Sequence, residues 1–188
     1  MNTPIYNDIQ IFGDQLPGGV YVITIALSSD QSISFGRFKH GRQFHLPAGS
    51  YLYVGSALGQ TGASSLGWRL ARHATRTGEL PPHRVRTALI EALNAAGLEV
   101  RAPRQKKLHW HIDHLLDLPE AEIQGVIAIR TRGLLEAFIA QELARDAATS
   151  VIAAGLGASD HRNSTHLLYV ETGQKWWDNL PALVWGMT

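Results

Sequence analysis

Residues 19–27 read Gly-Val-Tyr-Val-Ile-Thr-Ile-Ala-Leu, and residues 51–55 read Tyr-Leu-Tyr-Val-Gly. From Val20 to Leu27 the run is almost unbroken in β-branched and aromatic residues, which predicts a strand buried on both faces. Tyr51 to Val54 predicts a second short strand, and the period of two puts Tyr51 and Tyr53 on one face. Between them Ser28-Ser29-Asp30 suits a turn. Ser32 to Phe38 alternates like a half-exposed strand, and His45 to Gly49, with Pro47, reads as a loop. Three strands this close in sequence predict an antiparallel meander rather than parallel crossovers.

Outward from this stretch, residues 1–17 are polar and turn-rich and predict an arm laid over the domain. Gly55, Gly59 and Gly62 mark a turn after the second strand. Ser64 or Ser65 can cap a helix running to about Thr77, with Gly78 ending it. On that helix Arg69, Arg72, His73 and Arg76 fall on one basic stripe, and Leu66, Leu70 and Ala74 on an apolar one. Pro81-Pro82 breaks the chain before a second helix, about Arg84 to Ala96, and a basic linker from Arg101 to Lys107. A strand at Gln124–Arg130, a helix from Gly133 to about Ala147 and a short strand at His166–Val170 follow. Residues 171–188, with Trp176, Trp177 and Trp185, read as a tail packed on the domain. The fold class expected is α+β, a small, mainly antiparallel sheet flanked by helices, in one domain over residues 18–170 with an inserted helix at about 78–107.

The 188 residues are 45% hydrophobic and 18% charged, enough for a core and too little charge for disorder. The absence of cysteine excludes disulfides, cysteine zinc sites and a thiol nucleophile. The first residues show no basic segment leading into an apolar one, and no apolar run is long enough to span a bilayer, so a soluble, cytoplasmic protein is expected. The net charge of +1 hides an asymmetry. Residues 66–107 carry nine Lys and Arg against three acids, whereas residues 108–188 carry five against ten. A basic block of this kind is a footprint for a polyanion, or simply a solvated helix.

Several side chains stand out chemically. A strand tyrosine such as Tyr21 or Tyr53 is most often packing. Arg69 and His73 lie one turn apart on a helix that could equally be an exposed basic face. Glu136 sits in the first turn of its helix, where the helix dipole favours an acid in any case. His109, His111 and Asp113 alternate, so an extended backbone would present all three together, as a metal site or a hydrogen-bonding network that Asp160 and His166 could join.

In order, Gly19-Val20-Tyr21, Tyr53-Val54-Gly55, Arg69 and Glu136 resemble the layout of the GIY-YIG endonuclease superfamily. More closely, the chain is similar to an uncharacterised family within it, sometimes fused to endonuclease III. The residues carrying this likeness are Tyr51-Leu52-Tyr53-Val54-Gly55-Ser56-Ala57, Arg69 to His73, His109-Trp110-His111-Ile112-Asp113, Glu136, Gly157-Ala158-Ser159-Asp160 and His166-Leu167. The family's cysteines are replaced here by Ala137, His161 and Asn163.

The resemblance implies metal-dependent hydrolysis of DNA phosphodiesters. Tyr21 would be the general base and Tyr53 the second phenol. Arg69 would hold the scissile phosphate, since a guanidinium can grip two of its oxygens and offset transition-state charge. His73 would bridge to the phosphate or hold the attacking water. Arg72 and Arg76 would contact flanking phosphates. Glu136 would bind Mg²⁺ or Mn²⁺, because one carboxylate plus water suits an ion that keeps much of its hydration shell. A non-cleaving nucleic-acid-binding module and a domain binding a small anion or a partner are the alternatives.

Overall fold

The computed structural model describes residues 5–157 and 165–188. The predicted core strand is strand β2 (Gly19–Leu27), and every one of its residues but Ala26 is buried. It is buried because it is central. On one side it pairs antiparallel with β5 (Gly49–Ala57), on the other with β6 (Ala121–Arg130). Beyond β6 lies β1 (Ile9–Gly13), and beyond β5 lie β8 (Leu167–Val170) and β7 (Thr149–Val151), so the order is β1-β6-β2-β5-β8-β7.

The sheet is mainly antiparallel, with one parallel pair between β1 and β6. Two expectations need correction. Residues 9–13 of the expected arm are not laid over the domain but form the edge strand β1. The meander does not form. β2 and β5 match in register over nine residues each, and β3 (Gln31–Ser34) pairs instead with β4 (Gln43–Leu46) in a separate hairpin. The long apolar strands satisfy each other along their full length, and the short alternating one finds a short partner. Residues Gln174–Trp185 of the tail form the helix α5, anchored on the domain by the buried Trp177.

The sheet divides the core in two. Tyr21, Ile23, Ile25, Tyr51 and Tyr53 face α1 (Leu66–His73), α2 (Arg86–Ala95), α3 (His111–Leu116) and the hairpin. Val20, Val22, Leu52 and Val54 face α4 (Glu136–Arg145) and α5. The alternation of each strand thus assigns both candidate phenols to the α1–α3 side.

Close approach explains one glycine of the quoted stretch. Gly55 lies opposite Tyr21 in the ladder, and the Tyr21 ring crosses it so tightly that a Cβ on residue 55 would sit 2.5 Å from the phenol oxygen. α1 ends at His73, earlier than the expected Thr77.

Arg76 lies just past that end and is 5% exposed. Its guanidinium donates to the carbonyls of Leu116, Pro81 and Ala121 and meets His83 and Glu122. It is an internal tie between α1, α3 and β6, not part of an outer basic stripe, and it has no open side for a flanking phosphate. Arg76→Ala would leave these acceptors and Glu122 without their cation, and should lower unfolding free energy by roughly 3–5 kcal/mol. Urea denaturation measures this, and a loss below about 0.5 kcal/mol would contradict the assignment.

Candidate active site

Asp113 is the third residue of α3 and has no solvent exposure. Its Oδ2 accepts the backbone N–H groups of His109 at 2.8 Å and Trp110 at 2.9 Å, the carboxylate half of a capping box. Arg72 grips both oxygens in a fork, at 2.9 and 2.8 Å. Lys106, a buried lysine from the basic linker, comes within 3.5 Å of Oδ1. Burial opposes ionisation of Asp113, yet its contact with His73, the Arg72 fork and the Lys106 ammonium outweigh it and hold the carboxyl well below the usual range.

The expected extended stretch at 109–113 therefore does not exist. Helix α3 begins at His111, His109 is exposed, and the Asp113 carboxylate is committed to internal bonds. Among the described residues no three His, Asp or Glu side chains are grouped to hold a metal ion. Asp160 lies outside the described residues.

His73 is the next member. Its Nε2 is 2.8 Å from the Tyr21 hydroxyl, and its Nδ1 is 3.6 Å from Asp113 Oδ1. That second distance is too long for a hydrogen bond, but it is short enough for the carboxylate to orient the ring. An ionised carboxylate repels a lone pair, so Nδ1 carries the proton and Nε2 accepts from the Tyr21 hydroxyl. Burial of His73 outweighs the pull of Asp113 and lowers its pKa to about 4, so the ring is neutral at pH 7. Burial likewise pushes the Tyr21 phenol upward, with the Arg69 charge opposing. Tyr53 is also raised by burial, and its ring lies 6.3 Å from that of Tyr21 and edge-on to His73 at 6.0 Å.

Arg69 and Arg72 both stack on Trp110, with their guanidinium carbons 3.8 and 4.3 Å from the ring centre. Arg69 donates to the main-chain carbonyl of Ser56 at 3.3 Å, and its buried Nε has no partner among the described residues. The Ser56 hydroxyl points the other way and donates to Glu136. The second oxygen of Glu136 meets His166 Nδ1 at 2.9 Å. Burial raises the Glu136 carboxyl, but bonds from His166 and Ser56 and the Arg69 charge bring it below its ordinary value.

The site thus gathers Tyr21, Tyr53, Arg69, His73 and Glu136 at the end of β5, approached from both faces of the sheet. Arg72 is there too, but bound to Asp113 and the Lys107 carbonyl rather than free for a flanking phosphate. Arg76 stands apart, in the interior. His166 pairs with Glu136. Ser56, Trp110 and Lys106 had no assigned role in the sequence. Ser56 and Trp110 lie inside two of its quoted motifs, whereas nothing in the pattern marks Lys106 as buried.

The His73 geometry predicts a pH dependence of stability. Its folded pKa, about 4, lies below the unfolded 6.5. Between these values the unfolded chain binds the proton more readily, so stability is full above 6.5 and falls as pH drops toward 4, by up to roughly 3 kcal/mol. His83 is lowered in the same sense, chiefly by burial. Asp113, Glu122 and Glu136 are lowered carboxyls and add losses only below the ordinary carboxylate range. Denaturation of His73→Gln should therefore show a shallower loss between pH 7 and 5 than wild type. Equal slopes would mean that His73 is not buried neutral.

No curated protein and no solved structure matches the chain. A family model described as a domain of unknown function, DUF123, matches residues 20–186, from the strand of Tyr21 through the C-terminal helix. The match covers most of the chain and takes in every residue of the site, so the protein belongs to the DUF123 family.

Proposed function

We propose that the site cleaves phosphodiester bonds of DNA with the help of a divalent metal ion, on a fold of the GIY-YIG type. The observation carrying this reading is the position of Arg69. Its guanidinium is braced by Trp110 and the Ser56 carbonyl, and its buried Nε, without a partner among the described residues, belongs to a cation that acts on Tyr21 beside His73. A fixed cation with a spare donor, next to a proton acceptor, suits a phosphate and an attacking water.

Tyr21 is protonated at rest, so it needs help to act as a base. His73 Nε2 is placed to accept its hydroxyl proton in the same step as the phenol oxygen takes one from the attacking water, so that no free phenolate has to form first and the charge passes to the phosphate. Arg69 binds the phosphate oxygens and offsets the charge they gain in the transition state. Tyr53 walls the pair and excludes water from His73. Arg72 acts through Asp113 and Trp110 as a positioning residue.

Glu136 suits a hydrated Mg²⁺ or Mn²⁺. It is ionised, its side chain is 29% exposed, and it is held by Ser56 and His166. The ion would neutralise the phosphate and assist the departing oxygen.

A specific feature favours a second reading, a module that binds nucleic acid without cutting it. Tyr21 is 1% and Tyr53 5% exposed, so both phenols are closed over in this conformation.

Labelled single-stranded, duplex and branched DNA incubated with Mg²⁺, Mn²⁺ or EDTA decides between them. Wild type should cut at least one substrate with metal and none in EDTA. Glu136→Gln should abolish cutting while the protein stays folded by circular dichroism, since the amide oxygen can still accept a hydrogen bond at that position. Cleavage by Glu136→Gln at the wild-type rate would remove the metal assignment. Binding without any cleavage would favour the non-cleaving module.

A further inference from the structure

Arg72 and Arg76 are bound internally, so contacts to phosphates away from the scissile one need other cations. All three Lys and Arg residues of the first 65 positions fall within six residues, Arg37 to Arg42, and the whole hairpin Gln31–Leu46 contains no acid. Arg37, Lys39, His40 and Arg42 are all exposed. Among the described residues, no carboxylate lies within ion-pairing distance of Arg37, Lys39 or Arg42.

The turn is built, not loose. Lys39, His40 and Gly41 take left-handed φ angles of 46°, 58° and 76°, a run that costs energy at two side-chain-bearing residues. Backbone bonds from Phe38 to Phe35, His40 to Arg37 and Arg42 to Lys39 close it. Beneath, Phe38 packs on Phe44 at 5.7 Å and on His111 at 5.1 Å. Lys39 and Arg42 sit over these rings, 5.7 Å from Phe38 and 5.8 Å from Phe44.

The aromatic floor also fixes where the turn lies. His111 follows Trp110, the ring on which Arg69 and Arg72 stack. The turn and Arg69 therefore flank the same helix start.

We propose that the basic turn at Arg37–Arg42 is a second nucleic-acid contact, gripping the phosphodiester backbone beside the site. This rests on the phosphodiester reading of the site for its partner, but it concerns binding and not cleavage. A row of exposed cations held at fixed spacing suits successive phosphates. A lipid surface suits the turn less well, because its exposed residues offer no apolar group to insert.

The test is the triple variant R37A/K39A/R42A, with fluorescence anisotropy of labelled duplex DNA, single-stranded DNA and RNA followed from low to moderate salt. Circular dichroism checks that the variant is folded. The variant should bind at least tenfold more weakly at low salt. Its plot of log affinity against log salt should be shallower by roughly 2–3, about 0.9 per lost phosphate contact on duplex. The three probes identify which backbone is preferred.

Unchanged affinity and slope overturn the turn as a contact, and leave the nuclease reading standing if wild type still cuts. Turn-dependent binding with no cleavage by wild type supports the contact and sinks the nuclease reading instead. No binding of any nucleic acid by wild type, or binding only to anionic phosphatidylserine vesicles, overturns the proposal.

Discussion

The site depends on one buried carboxylate. Asp113 has no access to water, so it must find all of its partners inside the protein. It starts α3 by accepting two backbone N–H groups, which fixes Trp110. It takes the Arg72 fork, which presses Arg72 onto that ring. It faces Nδ1 of His73, and so leaves Nε2 for the Tyr21 hydroxyl. A buried charge with incomplete partners is strongly destabilising, so this arrangement is difficult to vary piecemeal.

Ser56 does the complementary task at the end of β5. Strand alternation turns its hydroxyl toward the α4 side and Glu136, while its carbonyl receives Arg69 from the α1 side. The Glu136 carboxylate and the Arg69 guanidinium are thereby held on one residue although they come from helices on opposite faces of the sheet. Gly55 next to it has no side chain because the Tyr21 ring occupies that space.

Much of this was legible in the sequence, for identifiable reasons. β2, β5 and β6 were evident because long apolar runs leave few choices, α1 and α4 because of their 3.6-residue period, and α2 because Gly97 marks its end. The order of Tyr21, Tyr53, Arg69, His73 and Glu136 pointed to a shared site. What could not be read was pairing. Period-two patterning marks a strand but not its partner, so the parallel edge strand β1 and the β3–β4 hairpin were missed. Burial of polar groups was equally hidden. Arg76 and Arg72 look like a solvated stripe until tertiary contacts show their acceptors, and Asp113 reads as extended because its capping role depends on a helix too short to show a period.

The central claim is that Asp113 sets the tautomer of His73 so that Tyr21 has a proton acceptor. ¹⁵N chemical shifts of the His73 imidazole at pH 7, in wild type and in Asp113→Asn, test it most directly. The account predicts a neutral ring in wild type, with the proton on Nδ1 and Nε2 unprotonated and hydrogen-bonded, and loss of that tautomeric preference in the variant. A wild-type ring protonated at Nε2, or an imidazolium at pH 7, would contradict it.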